Sequence, residues 1–176
     1  AEPGVLPGIA WSGFDFLSLA NNHSLDWGSV ALSDTMLALR DLGIRYAGAG
    51  TTADEAFRPA VFDVAGTSVA FIAVNDVYPL SCSDSGRTAM TLSLRDETLG
   101  GRIKELDARY DVVIASVHAG VEYDRNQEEA KERAFRQLVD LGVDVVFGHH
   151  PHVVQDVEIY RGRVIAYSLG NLIFDQ

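Results

Sequence analysis

The five histidines fall in three places: His23, His118, and the group His149, His150 and His152. Each place follows an apolar run of strand-like composition. These runs are residues 14–20, 111–117 and 143–147. Strands that end this way put imidazoles at the carboxyl edge of an α/β sheet, where such sheets bind ligands. In Gly148-His149-His150-Pro151-His152, three imidazoles sit on a turn pinned by proline. Neutral imidazole suits Zn, Fe, Ni or Cu, and Mn where oxygen donors are near. The competing reading is a polar turn with solvated rings. Asn22-His23 offers an amide oxygen beside an imidazole, but it also reads as helix entry with Asn or Asp26 as the cap. After His118 come Gly120, which would admit close approach of a ligand, and Glu122, which can ligate, act as a base or orient a histidine.

Strand-like and helix-like segments alternate along the chain. After residues 14–20 the pattern predicts a helix over 29–42, with Leu32, Met36 and Leu39 on one face and Gly43 as its stop. Residues 61–64 and 69–74 read as a hairpin about Ala65-Gly66-Thr67. Residues 75–93, rich in Ser, Asp, Gly and Pro, read as a long loop, functional or mobile. Helices are predicted over 99–110 and 127–141, the second with Ala134, Leu138 and Leu141 inward and Lys131 among solvated charges. Residues 153–160 and 163–169 read as a second hairpin. The alternation points to an α/β sandwich with a largely parallel sheet, extended or paired by the hairpins.

A chain of 176 residues suffices for one domain. Hydrophobic residues make up 47% and charged residues 22%, which excludes collagenous, coiled-coil and disordered classes. The net charge of −11 disfavours binding to nucleic acid or to an anionic membrane surface. Cys82, the one cysteine, has no partner for an intramolecular disulfide and reads as a bystander in the 75–93 loop. No apolar run approaches the roughly 20 residues of a membrane span, and no signal segment opens the chain. The loop-like start and the end just after a strand-like run read as those of a fragment.

Several of these stretches carry a family resemblance. Ser18-Leu-Ala-Asn-Asn-His-Ser-Leu-Asp-Trp-Gly28 resembles the Ala-Asn-Asn-His-x-x-Asp-x-Gly signature of the bacterial capsule-synthesis CapA family, associated with poly-γ-glutamate capsules. His118-Ala-Gly-Val-Glu-Tyr123 is similar to its His-Trp-Gly-x-Glu-Tyr motif. Gly148-His-His-Pro-His-Val153, the stretch 167–176 and Gly48-Ala-Gly50 are similar to further motifs of that family. The family in turn resembles calcineurin-like metallophosphoesterases.

The resemblance implies a metallophosphoesterase-like α/β/β/α sandwich lacking its N-terminal strand or strands. Residues 1–176 would then be a single CapA-like domain, truncated at the N-terminus and also at the C-terminus. It implies Asn22, His118, His150 and His152 as metal ligands, with His149 competing for the His-x-His role. His23, as proton donor near the leaving group, and Glu122 are the implied catalytic pair. Asn21, Asp26 and Asn171 are further candidates. The cofactor would be divalent metal (Mn, Fe or Zn), two ions in the intact protein, held weakly or not at all in the fragment. Ser24 stands where the superfamily has an acidic residue, which weakens a literal phosphoesterase reading.

The implied function is capsule or poly-γ-glutamate biosynthesis, as a metal-dependent hydrolase or transferase when intact. The implied partners are an acidic polymer or phosphoester substrate, a capsule-synthesis membrane complex and a second copy of the chain, with no nucleic acid. The implied location is the extracellular face of the cell envelope. The rival reading is a non-catalytic polymer-binding or export-complex subunit with a vestigial site, and a weaker one is an intracellular phosphatase domain. For an acidic polymer, Arg87, Arg125 and Arg161 are the candidate basic contacts.

Overall fold

The computed structural model describes residues 3–84, 86–126 and 128–172. A 3-10 turn at Pro3–Val5 leads into α1 (Leu6–Trp11), β1 (Phe16–Ser18), α2 (Gly28–Asp41), β2 (Arg45–Ala47), β3 (Ala49–Gly50), α3 (Ala53–Phe57), β4 (Ala60–Val64) and β5 (Thr67–Asn75). The order continues with β6 (Ser81–Asp84), β7 (Arg87–Thr91), α4 (Leu99–Asp107), β8 (Val112–His118), α5 (Glu129–Asp140), β9 (Val145–His149), β10 (Val157–Tyr160) and β11 (Arg163–Ala166).

Six strands form one mixed sheet in the order β10-β11-β9-β8-β5-β4. Its centre is parallel, β5 with β8 and β8 with β9, and each margin closes with an antiparallel hairpin strand. The central strands are nearly continuous apolar runs because they are covered on both faces. On one face α4 and α5 bury Ile103, Leu106, Phe135 and Leu138 against Val113, Val117, Val146 and Ile165. On the other, Phe16 of β1 and Ala47 of β2 lie against Ala73 of β5. Beyond them α2 presents Leu32 and Met36, at the i, i+4 spacing of one helix face, to Ala49 of β3 and Ala89 of β7. The layers therefore run helix, sheet, sheet, helix, the sandwich that the family resemblance implies.

Three expectations are corrected. Residues 75–93 are not one long loop, because β6 and β7 pair within them and join β3 in a three-stranded sheet. These strands are short and polar, so they lack the apolar alternation that marks a strand in sequence. Neither Asn21, Asn22 nor Asp26 caps α2. Asp84, at the tip of β6, accepts from the Ser29 N–H (2.9 Å) and the Ser29 hydroxyl (2.7 Å). Lys131 is not on a solvated face. It is 5% exposed, buried with Phe135, Leu138 and Val139, while Ala134 and Leu141 are only partly buried.

Candidate functional site

The parallel register of β8 and β9 sets His118 directly beside His149, and that of β5 and β8 sets Asn75 beside His118. The strand run extends through Gly148 and His149, so the predicted turn begins only at His150. Gly148 is required there, because a side chain would drive its Cβ to 2.0 Å from the Tyr167 carbonyl oxygen. His149 is thereby aimed along the sheet edge at its neighbour, while His150 and His152 project from the turn.

A run of side chains makes unbroken contact from Ser116 to Asp26. The Ser116 Oγ lies 2.9 Å from His149 Nε2, and His149 Nδ1 lies 2.7 Å from His118 Nδ1. His118 Nε2 lies 2.8 Å from Asn22 Oδ1, and Asn22 Nδ2 lies 3.4 Å from His23 Nε2. His23 Nδ1 then meets Asp26 Oδ2 at 2.8 Å. Asn21 shapes this turn, its Oδ1 accepting from the His23 N–H at 2.8 Å. Burial pushes His118 down to about 2 and His149 down to about 4, and the neighbouring rings add to the effect. Burial lowers His150 as well, against a nearby Glu122. The His118 and His149 rings are therefore uncharged near neutral pH, each with a proton on one nitrogen and a lone pair on the other.

A second group lies beside the first. Donor atoms of Glu122, His150 and His152 fall within 4.8 Å of one another. The ring of His150 is 4.6 Å from that of His118, centroid to centroid. Asn171 Oδ1 lies 2.9 Å from His152 Nδ1 and fixes that ring. His150 and His152 hold φ of 101° and 62°, and Tyr123, next to Glu122, holds 62°. Non-glycine residues in this left-handed region cluster at ligand sites, where the surroundings hold the strain.

These residues fit a divalent cation. An ion about 2.0–2.2 Å from each donor draws two donors to within about 4 Å, so the Glu122 trio is open by under an ångström. Two donors at right angles on one ion stand about 3 Å apart, which is the Asn22 Oδ1 to His118 Nε2 spacing. Two imidazoles and a carboxyl group as donors suit Zn, Fe or Mn. The sequence-derived ligands thus divide: His150 and His152 stand with Glu122, and His118 stands with Asn22 and His149.

Two residues escaped the sequence reading. Ser116 and Gln155 had no marker beyond their place beside a histidine strand and a helix. Gln155 accepts from Lys131 Nζ at 2.6 Å and donates to the Asp124 and Asn126 carbonyls at 2.8 and 3.1 Å, clamping the loop that carries Glu122. Gly120 (φ 110°) serves packing as well as access, since a Cβ would lie 3.1 Å from Lys131 Nζ. Cys82 Sγ lies 3.0 Å from Asp84 Oδ2, which raises its pKa, the opposite of what a nucleophilic thiol needs. Of the candidate basic contacts, Arg161 is paired with Asp140 at 2.8 Å, Arg125 is exposed, and the side chain of Arg87 lies outside the described residues.

A family model described as bacterial capsule synthesis protein PGA_cap matches residues 1–176. The capsule biosynthesis protein CapA of Bacillus anthracis is 31% identical over 180 residues, covering 100% of this chain and 44% of the relative. The PGA biosynthesis protein CapA of Bacillus subtilis (strain 168) is 33% identical over 164 residues, covering 93% and 43%. The chain thus spans less than half the length of these relatives. A crystal structure of a 5'-nucleotidase precursor from Thermus thermophilus shares the fold, with a TM-score of 0.56 and 16% identity over 95% of this chain and 36% of that one. Among the described residues, no helix is long and apolar enough to cross a membrane.

Proposed function

The chain belongs to the bacterial capsule synthesis protein family PGA_cap, and from that premise we propose that it forms the metal-holding domain of a hydrolase or transferase acting in capsule polymer synthesis. The observation that carries the reading is the gathering of Glu122, His150 and His152 donors within 4.8 Å, next to the Asn22–His118 pair. Residues distant in sequence are brought together there with their donor atoms converging.

A divalent ion in such a site supplies Lewis acidity and a water acidic enough to ionise near neutral pH. The trio Glu122, His150 and His152 would hold it, with Asn22 and His118 alongside, and two ions would be held in the longer protein. His23 sits at the exposed end of the site with its Nδ1 held by Asp26; once its Nε2 also gains a proton and turns from Asn22 to the leaving group, it would deliver that proton there. Glu122 serves as ligand here rather than as a separate base.

The substrate is an acidic polymer such as poly-γ-glutamate, or a phosphoester. On a chain of net charge −11, a bound cation would also neutralise the carboxylates that approach. The 176 residues act as one domain, working at the extracellular face of the envelope with a membrane-bound synthesis complex or a second copy of the chain. A second reading, a polymer-binding subunit with a vestigial site, is favoured by one observation: Asn22 and His118 already satisfy each other.

Metal content and turnover of bis(p-nitrophenyl) phosphate and of poly-γ-glutamate separate the readings, measured on the chain and on the longer protein. The enzyme reading expects metal-dependent turnover, His150→Ala losing metal, and His23→Ala keeping metal while losing about 10²–10⁴-fold in rate. No metal and no turnover in either form sinks it in favour of the binding subunit.

A further inference from the structure

The direction of each hydrogen bond in the Ser116-to-Asp26 run follows from its ends. A carboxylate only accepts, so His23 Nδ1 carries a proton toward Asp26. The Asn22 amide nitrogen only donates, so His23 Nε2 accepts from it and the amide oxygen faces His118. That oxygen only accepts, so the proton of His118 is on Nε2. The His118 ring is 7% exposed and its two nitrogens meet only another imidazole and an amide oxygen, surroundings that hold a ring neutral, so its Nδ1 is a lone pair and the 2.7 Å contact requires a proton on His149 Nδ1. His149 Nε2 is then a lone pair, met by the Ser116 hydroxyl at 2.9 Å. Every bond points the same way, from Ser116 toward Asp26.

In this arrangement His118 has no lone pair to give, since one nitrogen is protonated and the other is accepting. A cation beside Asn22 needs the Nε2 lone pair, so His118 must first become the Nδ1–H tautomer. His149 is the group in contact with that nitrogen. We infer that His149, backed by Ser116, is a positioning residue whose two tautomers set whether His118 is closed to a cation or open to it; the inference rests on the cation reading above.

The exchange balances. The His149 Nδ1 proton passes to His118 Nδ1, and the Ser116 hydroxyl proton passes to His149 Nε2. Water returns a proton to Ser116, and the His118 Nε2 proton leaves to water. Each ring and the hydroxyl still hold one proton, so opening releases none. In the open state His118 Nδ1–H donates to His149 Nδ1, and His149 Nε2–H donates to Ser116 Oγ. A ligand histidine whose second nitrogen donates in this way is the usual arrangement at metal centres, and losing such a partner costs about 10–100-fold in affinity.

The test uses the 176-residue chain, with Zn²⁺ as the probe. Two-bond ¹H–¹⁵N correlation spectra report which nitrogen of each ring carries the proton. The metal-free chain should show His118 as Nε2–H and His149 as Nδ1–H, and Zn²⁺ should reverse both. Calorimetric titration should show His149→Leu weakening Zn²⁺ binding about 10–100-fold. His149→Asn, whose amide can turn either face toward His118, should recover most of the loss. Ser116→Ala, a change too small to threaten folding, should lose a few-fold and blur the two tautomers of residue 149. If wild type takes up no Zn²⁺, both the cation reading and the switch fail. If wild type binds while His149→Leu and His149→Asn bind equally well, or metal-free His118 is Nδ1–H, the switch fails alone.

Discussion

His150 occupies a backbone conformation that side chains avoid, with φ of 101°. Alanine there keeps that strain, while glycine does not. His150→Gly is therefore expected to be more stable than His150→Ala by about 1 kcal/mol, the reverse of the usual order at a structured position. Urea unfolding of the two variants checks this, and alanine ranking above glycine contradicts it. Lys131 is a second residue whose environment sets its behaviour. Burial pushes its ammonium down to about 8 from an ordinary 10.5. Between those values the unfolded chain binds more protons than the folded one, so this group makes stability rise as pH rises from 8 to 10.5. At pH 7 the buried charge is a cost that Lys131→Met removes, less about 1 kcal/mol for the Gln155 oxygen it leaves without a donor. The variant should gain about 1–2 kcal/mol at pH 7 and flatten the alkaline rise. A loss of stability at pH 7 would show that the Gln155 clamp outweighs the burial cost.

At the scale of elements, α2 depends on a residue from another strand. Its N-terminal N–H groups have no cap of their own, and Trp27 offers none. Asp84 of β6 supplies it while also binding the Cys82 thiol. Asp84→Ala should lower the melting temperature by about 2–4 °C and speed reaction of Cys82 with a disulfide reagent, because the thiol loses the carboxylate that raises its pKa. Asp84→Asn should keep most of the cap. A cap contributed 55 residues away leaves no local sequence mark, which is why Asn22 and Asp26 looked like better candidates. The central strands and α2 were legible because burial on two faces, or on one helical stripe, writes itself into apolar spacing. The β6–β7 hairpin was not, since its residues are polar and its pairing is tertiary. The site was legible as a set of types, imidazoles after strand-like runs. How it divides was not, because whether His118 meets Asn22 or an ion depends on register and on which strand holds His149.

Over the whole molecule, buried neutral rings make stability sensitive to mild acid. His118 and His149 sit far below 6.5 when folded and near it when unfolded. As pH falls below 6.5 the unfolded chain takes up protons that the folded chain refuses, so stability falls. By pH 4.5 each ring contributes a loss of about 2 kcal/mol, lowering the melting temperature of the metal-free chain by about 10 °C in all. The carboxylates of Glu55, Asp96 and Glu158 lie below their ordinary range, held chiefly by Thr51, Thr98 and Arg136, and their share is lost only at lower pH. The two windows are therefore separable by calorimetry. His149→Asn should remove about half of the upper one, and a melting temperature constant from pH 7 to 5 would rule the histidine effect out.

The strand order has a bearing on synthesis. β9 lies between β8 and β11, and the Tyr167 carbonyl closes over Gly148 just before the His150 turn. A nascent polypeptide therefore emerges with Asn22 and His23 long before their counterparts exist, and the pocket can assemble only when β11 has cleared the ribosome. Such late closure of distant segments is slow, so any metal insertion must wait for that strand rather than accompany translation of the Asn22 segment.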